Sequence, residues 1–122
     1  ADLRLTWRPP ASGTRQDVTI RAEGYRLRTT QAGVRTTRHG GFVDAQVKAG
    51  PRWVLGMRYD NSEAPGGDPD AEWAIVPTLS WWQSEFVRLR LEGSRHQTAL
   101  GARSQIALQV VWAMGPHKHE VF

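Results

Sequence analysis

The sequence predicts an all-β fold, an antiparallel up-and-down transmembrane β-barrel of which about seven strands are present, as part of a larger barrel. Large apolar residues occupy every second position over most of the chain, and the positions between them are often charged. Short turns alternate with longer polar connections. Tryptophans recur near the ends of the alternating segments.

The first two segments show this alternation on either side of a turn. Asp2–Arg8 has its apolar positions at Leu3, Leu5 and Trp7. Pro9–Gly13 interrupts the pattern, because proline and glycine favour turns. Asp17–Leu27 has small or apolar residues at Val18, Ile20, Ala22 and Gly24. Arg28–Gly40 is polar and aperiodic, so we expect a long loop there.

The third and fourth segments flank a tight turn at Ala49–Pro51. Gly41–Lys48 has its apolar positions at Val43, Ala45 and Val47. Arg52–Asn61 alternates most clearly, with Trp53, Leu55, Met57 and Tyr59 on one side. Ser62–Ala71 contains proline, a Gly-Gly pair and three acidic residues, and this composition predicts a second long loop.

The fifth and sixth segments are joined by a short turn at residues 83–84. Glu72–Trp82 carries one face of Trp73, Ile75, Pro77, Leu79 and Trp81. Glu85–His96 carries Val87, Leu89 and Leu91. Gln97–Ser104 is expected to form a third long loop.

The last segment, Gln105–Met114, has a continuous apolar face formed by Ile106, Leu108, Val110, Trp112 and Met114. Seven strands are an odd number, and bacterial single-chain barrels have an even number. A seven-stranded sheet therefore leaves two open edges, which hydrocarbon does not tolerate. We expect residues 1–122 to form the C-terminal portion of an outer-membrane barrel.

The aromatic residues predict which side of the sheet faces lipid. Near the rim with the short turns, the apolar side carries Trp7, Trp53, Trp81 and Trp112. Tyr59 and Trp73 fall on the same side near the opposite rim. Amphipathic rings concentrate at the two headgroup levels of a bilayer, so these six residues are candidate membrane-interface aromatics in the bacterial outer membrane.

The composition excludes several classes of protein. No run of apolar residues approaches the roughly 18 that a transmembrane helix needs. The absence of cysteine excludes a disulfide scaffold and a thiolate metal site. The chain has no Gly-rich phosphate loop, nucleophile elbow or paired-acid motif, so we expect neither an enzyme nor a cofactor.

The other side of each segment predicts a charged interior. Its candidate lumen-lining residues are Arg4, Arg21, Glu23, Asp44, Arg58, Asp60, Arg88, Arg90 and Glu92, with Asp2 and Arg8 on the same side. These charges predict either a pore wall that tunes solute selectivity or a cross-strand ladder of Arg–carboxylate pairs that fills the interior.

Two further groups of residues suggest ligands. His117 and His119 lie two residues apart in the tail and could share a zinc ion, or the tail could simply be solvated. Arg26, Arg28, Arg35 and Arg38, with His39, cluster toward the rim of the long loops. At an outer membrane this rim meets lipopolysaccharide, whose phosphates suit guanidinium groups. Nucleic acid is not expected, because the aromatic residues are not interleaved with these arginines.

Several phrases of the sequence resemble a known family. They are Leu5–Pro9, Arg58–Glu63, Trp82–Arg90, Leu108–Trp112 and Gly115–His117. Together they resemble the C-terminal barrel region of a proteobacterial outer-membrane family of zinc-regulated TonB-dependent receptors and porin-like proteins. Phe122 is similar to the aromatic ending of barrels that are handed to the outer-membrane assembly machinery.

The resemblance implies a transporter or porin segment for small solutes or metal chelates. An anchoring barrel within a larger complex and a soluble antiparallel ligand-binding domain are the alternatives. The partners expected for the barrel are the lipid bilayer and lipopolysaccharide, the remainder of its own barrel or other envelope proteins, and the assembly machinery.

Overall fold

The computed structural model describes residues 1–10, 16–63 and 71–113, and every structural statement below concerns these residues. They form seven strands: β1 (Asp2–Trp7), β2 (Gln16–Gln31), β3 (Val34–Ala49), β4 (Trp53–Glu63), β5 (Ala71–Trp82), β6 (Val87–Thr98) and β7 (Gly101–Trp112). Each strand pairs antiparallel with the next in a single sheet of order β1-β2-β3-β4-β5-β6-β7. The predicted all-β, up-and-down arrangement of seven strands is confirmed. No helix among these residues is long and apolar enough to cross a membrane.

The expectation of a long loop at Arg28–Gly40 is wrong. The pairing of β2 with β3 continues to Gln31 and Val34, and only Ala32 and Gly33 form the turn. Both turn residues have positive φ, 49° and 80°, as the favoured two-residue hairpin turn requires. A strand needs backbone hydrogen bonds rather than apolar alternation, so a segment that is polar on both faces can still extend a hairpin.

The expected loop at Gln97–Ser104 is also wrong. β6 continues to Thr98 and β7 begins at Gly101, which has a φ of 124°. The Thr98 hydroxyl donates to the Gly101 carbonyl oxygen at 3.2 Å and accepts from the Leu100 amide at 3.2 Å. These bonds hold a two-residue turn where the sequence suggested a longer connection.

Other predictions fall partly or wholly outside the described residues. The expected loop Ser62–Ala71 begins and ends in strand residues, since β4 reaches Glu63 and β5 starts at Ala71. Residues 11–15, 64–70 and 114–122 are not described, and the last range includes His117 and His119. The zinc interpretation of the tail therefore stays a prediction.

The register of the ladder places the apolar positions of all seven strands on one face. A single cross-strand row runs through Trp7, Val18, Val47, Leu55, Leu79, Leu91 and Leu108. The next row on the opposite face runs through Thr6, Thr19, Gln46, Gly56, Thr78, Glu92 and Ala107. Because alternate side chains point to opposite faces, the sheet has one apolar face and one polar face.

The burial of these two faces is the reverse of that in a soluble protein. The two buried residues among those described, Asp44 at 9% and Ala74 at 7% exposure, both lie on the polar face. On the apolar face Leu55 is 48% and Met57 is 50% exposed. On β3–β6 most side chains of the polar face are half-buried, although Arg58 stays exposed, whereas the apolar side chains point outward with no apolar layer over them.

Both edges of the sheet are open. β1 and β7 are exposed along their whole length. The stretch Ser104–Trp112 of β7 contains no charged residue, proline or glycine, the features with which soluble proteins protect an edge strand. The sheet shown by the described residues is not closed.

Gly41→Ala should destabilise the sheet, because a Cβ at this position would lie 2.5 Å from the backbone oxygen of Glu23 and 3.3 Å from the Cα of Gly24. We expect a loss of about 1–3 kcal/mol in the free energy of unfolding, measured by urea titration with tryptophan fluorescence. Gly24→Ala, on the partner position of the same ladder, is the control, since its Cβ would meet nothing within 4 Å. Equal effects of the two changes would contradict the register of β2 and β3.

Candidate functional site

The polar face carries a cleft of about 360 Å³ lined by side chains from β2, β3, β4, β5 and β6. Three arginines reach into it, Arg21, Arg58 and Arg90, together with three carboxylates, Asp44, Asp60 and Glu92. Five adjacent strands contribute to one depression, so the polar side of the sheet is hollowed across its middle.

Arg21 and Asp44 form the most enclosed ion pair of the cleft. They are directly opposite each other on β2 and β3, and Arg21 Nε and Nη2 donate to Asp44 Oδ2 at 3.0 and 2.8 Å. Gln46 Nε2 donates to the same oxygen at 3.1 Å. Charge-assisted hydrogen bonds of this kind are stronger than neutral ones. This pair is one cross-strand Arg–carboxylate contact of the kind that the ladder alternative describes.

The other two arginines of the cleft pair along their own strands instead of across the sheet. Arg58 Nη2 donates to Asp60 Oδ1 at 2.6 Å, and its guanidinium lies 4.3 Å from the centre of the Phe42 ring. Arg90 Nη2 donates to Glu92 Oε2 at 2.8 Å. Residues two apart on a strand share a face, so this pairing uses the strand period directly. A continuous cross-strand ladder of pairs is therefore absent from the described residues.

The remaining predicted interior residues also lie on the polar face. Arg4 is opposite Arg21, and Glu23 is opposite Asp2. Arg88 lies opposite Trp82, with its guanidinium 5.3 Å from the centre of that ring. The buried Nε of Arg88 has no hydrogen-bond partner among the described residues. Phe42, Gln46 and Trp82 also lie on this face, as the two-residue period requires, but they were not among the candidate lumen-lining residues.

The apolar face carries aromatic residues at both ends of its central strands. On β5 the apolar stretch runs from Trp73 to Trp81, and on β4 it runs from Trp53 to Tyr59. Trp53 and Trp81 are direct cross-strand partners with ring centres 6.2 Å apart. We call the band of apolar residues on this face the apolar belt, and the end with Trp53 and Trp81 the tryptophan-rich end.

The apolar belt crosses the strands obliquely. Residues Trp53–Tyr59 of β4 are in register, through β5 and β6, with Ser104–Val110 of β7. On β7, however, the apolar positions are Ile106–Trp112. Both ends of the belt thus shift by two residues toward the tryptophan-rich end. Strands that are tilted relative to the belt produce this offset, as in barrels.

The centre of the belt is shaped by small residues. Pro77 lacks an N–H, and the β5 residues that pair with β6 on either side of it are Ile75, opposite Arg95, and Thr78, opposite Glu92. The Cγ of Pro77 would lie 3.4 Å from a Cβ at Gly93. Proline beside glycine leaves a shallow apolar depression of about 550 Å³, which Met57, Leu79 and Leu91 border.

The predicted rim arginines lie on strands rather than in a loop. Arg26 and Arg28 are on β2, and Arg35 and Arg38 are on β3. The hairpin formed by these two strands extends past the end of β4 at Glu63, whose carboxylate accepts from the His39 amide at 3.0 Å. His39 Nδ1 lies 3.4 Å from the same carboxylate. No group of three His, Asp or Glu side chains in the described ranges has the arrangement of a metal site.

Asp44→Asn should lower the free energy of unfolding by about 2 kcal/mol, because it removes the charge that accepts three hydrogen bonds in a buried position. Asp17→Asn is the matched control, since the ion pair that Asp17 forms among the described residues, with Arg8, is 3.9 Å long and partly exposed. We expect a change of under about 0.5 kcal/mol there. Urea unfolding of both variants compares the two, and equal losses would show that the Arg21–Asp44 pair has no special weight.

Comparison with protein-family models, with curated proteins and with solved structures finds no match to this chain. We therefore infer a function from the two faces and two edges of the sheet.

Proposed function

We propose that the chain forms part of the wall of a bacterial outer-membrane β-barrel, whose apolar face lies in lipid and whose polar face lines a passage for small solutes. One observation carries the proposal. On the central strands β3–β6, most large side chains of the apolar face are exposed, whereas most side chains of the polar face are half-buried and Asp44 is buried. A solvent of hydrocarbon around the sheet favours that distribution, whereas water opposes it.

The cost of exposing this face to water supports the proposal. Exposed residues of the belt include Leu3, Leu5, Trp7, Val43, Val47, Leu55, Met57, Ile75, Leu79 and Leu91. Each Å² of apolar surface left in water forgoes about 25 cal/mol of stabilisation. Soluble proteins rarely leave contiguous apolar patches of more than about 300–600 Å² uncovered. A lipid bilayer covers such a face on all strands at once.

The dimensions of the belt also support it. The stretch Trp73–Trp81 holds nine residues, which is the roughly 9–11 that a transmembrane strand needs. At about 3.4 Å per residue it spans roughly 27 Å along the strand. A tilt of about 40° reduces this to roughly 21 Å, close to the approximately 25 Å apolar band of outer-membrane barrels. Aromatic residues lie at both ends, where the headgroups would be.

The open edges require further strands in this proposal. Hydrocarbon leaves no partner for the free backbone groups of β1 and β7, so other strands must pair with both edges. Successive strands reverse direction, and β1 and β7 therefore run the same way. An antiparallel closure between them takes an odd number of additional strands. Joining β7 to β1 of a second copy would instead give a parallel pair.

A scaffold role is the second candidate, and the charge pairing favours it. Arg21, Arg58 and Arg90 each bind a carboxylate, so these interior charges neutralise one another. A wall built this way would rigidify the barrel and would impose little charge selectivity on small solutes or metal chelates. The passage proposal and the scaffold candidate differ in whether the complete barrel conducts ions.

Leu79→Arg should weaken insertion into lipid vesicles by about 2–4 kcal/mol, because it places a charge within the apolar belt. Thr78→Arg is the matched control on the polar face, where Glu92 is its cross-strand partner. We expect less than about 1 kcal/mol for Thr78→Arg, since the charge points to a polar surface. Partition of the complete barrel that contains this chain, between buffer and phosphatidylcholine vesicles, measures both. Equal losses, or no partition of the unaltered barrel, would contradict the membrane proposal.

Charge reversal inside the passage should change ion selectivity. Arg90→Glu releases Glu92 from its pair, and Arg88→Glu adds a negative charge to the same strand. We expect the reversal potential of the complete barrel in planar bilayers to shift toward cation selectivity. Arg95→Glu is the control, since Arg95 lies on the apolar face of β6 opposite Ile75. Unchanged selectivity would exclude a pore-wall role for Arg88 and Arg90, and absent conductance would favour the scaffold.

A further inference from the structure

The hairpin of β2 and β3 extends beyond the rest of the sheet and reverses the polarity of its two faces. Five residues of β3, Val34–Arg38, lie beyond the end of β4, which corresponds to roughly 17 Å. Where β2 and β3 pair within the full sheet, the apolar face carries Val18, Ile20 and Ala22 on β2. Toward the tip of the hairpin, the same face carries Arg26 and Arg28.

We define the basic hairpin face as Arg26, Arg28 and Arg35 on that side of the hairpin. The register pairs Arg26 with His39, Arg28 with Thr37, and Arg35 with Thr30. Arg26 and Arg28 are two residues apart on one strand, roughly 7 Å, and Arg28 and Arg35 are diagonal neighbours at roughly 7–8 Å. All three are exposed. Three guanidinium groups therefore stand close together directly above the apolar belt.

The charge of this face is not neutralised within the described residues. None of the three arginines takes part in an ion pair there. The stretch Gly24–Gly41 contains no aspartate or glutamate. In contrast, the cleft on the polar face binds each of its three arginines to a carboxylate. The basic hairpin face therefore has free hydrogen-bond donors for an anion.

The opposite face of the hairpin differs in kind. It carries Leu27, Thr29 and Thr36, with Arg38 opposite Leu27. Leu27 is 54% and Val34 is 67% exposed. Three of the four arginines thus lie on the side that continues the apolar belt, and one lies on the side that continues the polar cleft.

We propose that the basic hairpin face binds the phosphate groups of anionic lipid headgroups at the surface of the bilayer that covers the apolar belt. Guanidinium groups bind phosphate through two parallel hydrogen bonds, and the hydroxyls of Thr30 and Thr37 lie on the same face as further donors. Continuity with the apolar belt places these groups at the headgroup level. The inference rests on the proposed membrane function and names the lipid chemistry at its outer rim.

The test compares insertion of the complete barrel that contains this chain into phosphatidylcholine vesicles with its insertion into the same vesicles containing lipid A, a glucosamine lipid with two phosphates. The altered chain carries Arg28→Gln and Arg35→Gln. The matched control carries Arg38→Gln and Arg103→Gln, which remove the same charge from the side of the polar face. Quantitative binding isotherms give the ratio of the two partition coefficients for each chain.

We expect the unaltered chain to prefer vesicles with lipid A, and the Arg28/Arg35 variant to lose about 25-fold of that preference, because each arginine near an anionic surface contributes about fivefold. The control variant should retain the preference. If the preference for lipid A persists when inorganic phosphate is added to the buffer, the bound phosphate belongs to the lipid. If low concentrations of inorganic phosphate abolish the preference, the assignment to a lipid headgroup is overturned. Binding of an oligonucleotide with the same arginine dependence, without any vesicle preference, also overturns it.

The outcome separates the two proposals. Equal insertion of all three chains into both kinds of vesicle overturns the basic hairpin face and leaves the membrane proposal intact. Failure of every chain to insert into either kind overturns the membrane proposal itself. If the control variant loses its preference for lipid A as strongly as the Arg28/Arg35 variant does, the effect follows net charge. That result overturns the assignment of phosphate binding to this face.

Discussion

The register of one continuous antiparallel ladder is the constraint on which the rest of this structure depends. Within the described residues the seven strands pair without a bulge, so the two-residue period of each strand stays in phase with the next. A slip of one residue in any strand would move its arginines to the apolar face and its leucines to the polar face. The apolar belt and the charged cleft are therefore two consequences of the same hydrogen-bond pattern, and neither could persist without the other.

The two faces stabilise the sheet in different ways. On the polar face, Arg21 and Asp44 bind across β2 and β3, while Arg58 and Arg90 bind carboxylates two residues along their own strands. On the apolar face, many of the large side chains are exposed. The polar face thus supplies most of the side-chain hydrogen bonds, and the apolar face needs a medium outside the chain. In our proposal lipid is that medium, and further strands complete the two edges.

Sequence periodicity predicted the strands better than it predicted their ends. The apolar alternation located all seven strands and assigned each predicted interior residue to one face, because the period of a strand is fixed by its backbone geometry. It missed the outer parts of β2 and β3, where Arg28–Gly40 has no apolar alternation to detect. It also missed the turn between β6 and β7. In both places the backbone continues to pair although polar and apolar side chains are mixed on both faces. Only the backbone hydrogen bonds define the strand there.

The sequence by itself determined which residues share a face, since parity along a strand depends on nothing beyond the strand. It could not determine which residues lie opposite one another, because register depends on turn geometry and on pairing between distant segments. Tertiary structure alone decided that Asp44 binds Arg21 and Gln46 together, and that Trp53 meets Trp81. It also decided that three arginines of the hairpin stand above the apolar belt while Arg38 stands on the other side, since that division follows from where β2 and β3 keep pairing beyond β4.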